Sequence, residues 1–241
     1  MQYVEASEYS VRSAVWTLRR GQTPLCFVLF PMVHLGSQEF YDEVARRAAR
    51  CDVIVAEGHG GEPPPRRRMF VALNRRARRL HGEGLVYQNI DYAATGRPVL
   101  WPDEEPSPVR RPLRHRLLFA GLVLALPFVM AYFLLRGGAW FLQGQSGLNV
   151  EDTSYDDGLG DGTLDTMVLR DRDRKLIAVL ERLHEERQEE PLSVAVVYGA
   201  AHMPGVVRHF TGAHGYRPGS AEWLTVFGAR YERRRDVRVS E

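Results

Sequence analysis

The sequence predicts an α/β fold, with a mostly parallel central sheet, flanking helices and an apolar helical insertion. Three observations predict it. The runs Asp52 to Ala56 and Ser193 to Tyr198 are continuously apolar and rich in β-branched residues, the composition of strands buried on both faces. Segments with helical hydrophobic spacing lie next to them, the order expected of βαβ units. The 241 residues, 44% hydrophobic and 26% charged, suffice for one core and not for several. The chain therefore reads as a single domain over 1–241, with the apolar insertion at 110–145.

In chain order, Ser13 to Leu18 and Pro24 to Phe30 read as two strands joined by a turn at Arg19-Arg20-Gly21-Gln22-Thr23, a hairpin. From Ser37 to Arg50 the apolar residues Phe40, Val44 and Ala48 recur at helical spacing, with Ser37 as N-cap and arginines in the last turn. Asp52 to Ala56 completes strand, helix, strand, which implies parallel strands. The glycines and prolines of 58–66 make a loop, and 66–80 reads as a basic helix with Phe70, Leu73, Ala77 and Leu80 on one side. Arg97 to Trp101 is a short strand. Asp165 to Gln188 is a long amphipathic helix with Leu169, Leu176, Leu180 and Leu183 on one face. Ser193 to Tyr198 is a strand, a helix starts at Met203, and Trp223 to Phe227 closes the sheet at its edge.

Composition excludes several classes. Mean hydropathy of −0.29 argues against a polytopic membrane protein, and two cysteines, Cys26 and Cys51, provide no disulfide framework. Both cysteines lie on or beside strands and read as core. Neither a nucleophile elbow nor a phosphate-binding Walker loop occurs. Net charge is +2, yet the signs are segregated: seven arginines lie between Arg66 and Arg79, while 151–165 is acidic and glycine-rich. Without interleaved aromatics or a recognition motif the arginine run does not point to nucleic acid. The polar, acidic N-terminal decapeptide lacks a secretory pattern, so a cytoplasmic protein is expected.

Leu117 to Leu135 contains no charge over 19 residues, nearly the ~20 that span a bilayer core. A single span would separate the strands before 110 from those after 192. Three placements stay open: a membrane-contacting hairpin over 117–142 anchored by flanking arginines, a buried lid or dimer helix, and a true span.

The candidate chemistry sits where strands end. His34 follows the second strand, Glu57 the third, Asp103 the short fourth and His202 the strand at 193–198. In a parallel sheet such exits share one edge, where ligands bind. His34, Glu57 and His202 would supply three ligands to a divalent metal ion with a position left for water. Asp103 or His59 would assist proton transfer, and Arg170 in the first turns of the long helix would hold the substrate, with Asp171 beside it. Taken singly, each has a structural alternative: a hydrogen-bonded histidine, a turn-capping glutamate, a surface ion pair. The small residues of Gly199-Ala-Ala-His202-Met-Pro-Gly205 allow a tight strand-to-helix turn that directs backbone N–H groups at a ligand.

The set Leu29-Phe-Pro-Met-Val-His34, Ile54-Val-Ala-Glu57, Arg170-Asp171 and Val197-Tyr-Gly-Ala-Ala-His202-Met-Pro-Gly205 resembles the TraB/PrgY family, which is similar to the Tiki metalloproteases and, more remotely, to the erythromycin esterase and ChaN-like proteins. The likeness covers most of 13–227 apart from the insertion. It implies a metal-dependent hydrolytic site on His34, Glu57 and His202. Gly199 to His202 fits the Gly-x-x-His pattern; in the first copy Pro31 replaces the glycine. The expected function is metal-dependent hydrolysis of a peptide or ester bond in a peptide or small-molecule substrate. The alternative from another class is a membrane-associated binding or regulatory protein that sequesters a peptide or small signal in the same cleft.

Overall fold

A computed structural model describes residues 1–7, 9–21, 23–60, 85–104, 150–151 and 164–228. The basic helix at 66–80, the insertion at 110–145 with Leu117 to Leu135, and most of the acidic loop lie outside the described residues. The elements are β1 (Gln2–Ala6), β2 (Ser10–Arg20), β3 (Thr23–Met32), β4 (Leu35–Gly36), α1 (Gln38–Ala48), β5 (Val53–Ala56), β6 (Val86–Tyr87), β7 (Val99–Leu100), β8 (Val150–Glu151), α2 (Leu164–Arg187), β9 (Ser193–Gly199), α3 (Met203–His214) and β10 (Arg217–Gly228). Among the described residues no helix is long and apolar enough to cross a membrane.

The main sheet has eight strands in the order β7-β5-β9-β3-β2-β1-β8, with β10 added on β2. It is parallel across β7, β5, β9 and β3 and antiparallel beyond. The expected α/β fold is thus present, with two differences of detail. The parallel partners of the β3-α1-β5 unit are not neighbours, because β9 enters between them. The polar N-terminus also forms a strand, β1: Tyr3 and Val4 are both fully buried, one on each side, so two residues suffice to anchor an otherwise polar segment.

Alternation within the strands builds two cores, one per face. Val194, Val196 and Tyr198 of β9, with Val53 and Val55 of β5, face Leu176, Val179, Leu180 and Leu183 of α2 and Met203, Val206 and Phe210 of α3. Ala195, Val197, Ile54 and Ala56 face Phe40, Tyr41, Val44 and Ala48 of α1. Helices on both faces bury each strand twice, which is why β5 and β9 read as unbroken apolar runs. The predicted caps hold: Ser37 accepts a hydrogen bond from the Phe40 N–H at 3.2 Å, and arginines occupy the last turn of α1. Cys26 and Cys51 are buried; burial first, then the neighbouring Cys26, pushes the Cys51 thiol up to about 11, an inert state.

Connectivity places the site. After β5 the chain moves outward to β7, whereas after β9 it turns back through α3 to β10 beside β2. The chain therefore leaves the adjacent strands β5 and β9 in opposite directions, the switch point at which open α/β sheets hold their ligands.

Candidate functional site

Register carries the predicted residues to this edge. Ala56 lies opposite Val197, Leu100 opposite Val55 and Met32 opposite Gly199, so Glu57, Tyr198 and Gly199 leave the sheet side by side, with Asp103 in the short 3-10 turn Pro102–Glu104 beyond β7. The Glu57 N–H donates to the Val197 carbonyl, extending the ladder by one bond and fixing the residue.

At the centre of the cluster is a cation absent from the predicted set. The Arg172 guanidinium, on α2, donates to both carboxylate oxygens of Asp103, at 3.1 and 2.7 Å, and reaches Glu57 Oε1 at 2.6 Å. Tyr198 donates its hydroxyl to Asp103 at 2.9 Å, and the Gly58 N–H donates at 2.8 Å. The second oxygen of Glu57 accepts the Gly199 N–H at 2.7 Å. Burial opposes charge on Asp103, but the bonds from Arg172, then Gly58 and Tyr198, outweigh it and hold the carboxyl below its ordinary value. Burial lowers the Arg172 pKa and the two carboxylates raise it, with a net rise. Burial, then the Asp103 charge, lifts the Tyr198 phenol, so Tyr198 stays a hydrogen-bond donor.

His202 lies beside this network. It ends the 3-10 turn Ala200–His202 that links β9 to α3, and its Nδ1 is 2.5 Å from Asp173 Oδ1, both side chains only 5% exposed. Nδ1 faces the carboxylate, so Nε2 is the ring nitrogen that Asp173 does not engage. A Cβ on Gly199 would come within 3.1 Å of Glu57 Oε2 and 3.4 Å of His202 Cδ2. Glycine thus permits the close approach of strand end, carboxylate and imidazole.

The other predicted residues make different contacts. His34 is exposed, stacked on Tyr87 with ring centroids 5.7 Å apart, and its Nδ1 is 3.2 Å from the Gln88 amide oxygen. His59 and Arg170 are exposed, and Asp171 is buried with Arg174 3.6 Å away. The helical phase explains why Arg172 and Asp173, and not Arg170, enter the site. Arg172 precedes Leu176 by one turn, and Asp173 lies four residues after Leu169 and three before Leu176, so both belong to the core-facing side.

A metal on His34, Glu57 and His202 does not fit this arrangement. Both Glu57 oxygens are engaged, by Arg172 and by Gly199, and His34 faces Gln88. Among the described residues the group of three side chains whose ligand atoms lie within 4.8 Å of one another is a different one, Glu181, His209 and His214. No protein-family model, no curated protein and no solved structure matches the chain.

Proposed function

We propose that this chain hydrolyses a peptide or ester bond at the switch point, as the motifs at Glu57 and Gly199 to His202 imply by their resemblance to TraB-like proteins. The observation that carries the reading is the buried Asp173–His202 pair beside the Glu57, Arg172 and Asp103 network. His202 Nε2 takes a proton from water as its oxygen adds to the carbonyl carbon, and the same nitrogen returns that proton to the departing amine or alcohol. Asp173 holds the ring and offsets the charge that forms on it. Arg172, anchored by two carboxylates, holds an anionic group of the substrate. No step passes through a metal. The substrate is a peptide or a small ester, not nucleic acid, and the apolar segment at 110–145 would bring the enzyme to a membrane surface.

The test is hydrolysis of a panel of fluorogenic peptides and esters by the full chain. Substituting His202→Ala or Asp173→Asn should lower kcat by about 10²-fold or more, the usual weight of a positioned base. Turnover unaltered in both variants would overturn the assignment. Ligand binding retained without turnover in the wild-type chain would replace hydrolysis with sequestration.

A further inference from the structure

We infer that the opposite ends of α2 and α3 form a second site, one that binds a divalent transition metal through Glu181, His209 and His214. Glu181 projects from α2, and His209 and His214 from the last turns of α3. Both histidines present Nε2 to the same carboxylate: His209 contacts Glu181 Oε1, and His214 lies 2.8 Å from each Glu181 oxygen. One ligand atom from each residue falls within a 4.8 Å group, and the two imidazole centroids are 6.1 Å apart. A tetrahedral ion with bonds of ~2.0–2.1 Å needs its donors about 3.4 Å apart, so small side-chain rotations bring all three onto one ion. Two imidazoles and one carboxylate suit Zn(II) and its neighbours in the first transition row.

The surroundings favour an ion over a simple carboxylate–histidine contact. Glu181 is 23%, His214 22% and His209 35% exposed, which leaves an open side for entry and for a water ligand. A third imidazole, His184, packs 4.2 Å from the His214 ring centroid and turns its Nδ1 to the Tyr216 hydroxyl at 3.2 Å. The site is distinct from the Asp173–His202 pair. Glu181 lies two helical turns beyond Asp173, roughly 12 Å along α2.

The test uses the full chain without a histidine tag, stripped by chelation and titrated with ZnCl2 at pH 7.5 by calorimetry. One equivalent should bind with micromolar or tighter affinity and raise Tm by about 5 °C at 100-fold excess over Kd. His202→Ala should bind zinc unchanged, so this outcome is separable from loss of hydrolysis. His209→Ala with His214→Ala should abolish binding. Glu181→Gln, which keeps the shape of the side chain, should weaken it at least about tenfold and alter the visible absorption of bound Co(II). Circular dichroism establishes that each variant is folded. Failure of the wild type to bind zinc, or equal binding by the folded double variant, would overturn the site.

Discussion

Asp103 shows how much one side chain at a strand exit carries. Its carboxylate accepts from Arg172, Tyr198 and the Gly58 N–H, so it fastens α2, β9 and the loop after β5 to a single point. A carboxyl whose folded pKa lies below its unfolded ~3.9 stabilises the fold above that pH and loses the contribution as pH falls through the folded value. Asp103→Asn should therefore destabilise the protein by about 1–3 kcal/mol at pH 7, measured by urea unfolding. The variant's stability should also decline less steeply between pH 5 and pH 2.5. Equal slopes in the two proteins would show that the ion pair does not form. The placement of Glu57, Asp103 and His202 at the sheet edge was legible because each follows a strand-like apolar run within a few residues. His34 follows one too, but the chain turns away after Met32 into β4, whose partner is β6, and carries the ring to Tyr87 and Gln88.

At the level of the element, α2 does two jobs with one stripe. Its lower turns insert Leu176, Val179, Leu180 and Leu183 into the core, and its upper turns put Arg172 and Asp173 on the site. Leucine spacing revealed the stripe; extending that phase toward the N-terminus identifies Arg172 and Asp173, whereas position within the first turns pointed to Arg170. Packing thus sets the placement of the polar groups at the sheet edge. Leu180→Ala, at a fully buried position, should cost about 2–5 kcal/mol and lower the proposed hydrolysis as well, since the helix that loses packing also carries Asp173. Thermal unfolding together with turnover of the folded fraction checks this. A stability loss under 1 kcal/mol would mean that the stripe is not packed against the sheet.

For the whole molecule, the decisive feature is the insertion of β9 between β5 and β3. This last parallel strand has ladder partners on both edges and a hydrophobic core on each face. Its amides should show the slowest hydrogen exchange in the chain, well behind the two-residue edge strands β7 and β8. Exchange in β9 as fast as in β1 would contradict the sheet order. The sequence alone determined the α/β class, the hairpin, the caps and limits of α1, the apolar stripe of α2 and three of the polar residues at the sheet edge. All of these follow from local rules: hydrophobic period, cap chemistry and the side chains that follow a buried strand. Tertiary structure alone decided the neighbour order of the strands, the strand formed by the polar N-terminus, the pairing of Arg172 with two distant carboxylates and the meeting of Glu181 with His209 and His214. These depend on contacts between residues far apart in the chain. Such contacts form because two cores must close around one sheet, a condition that no local window of sequence contains.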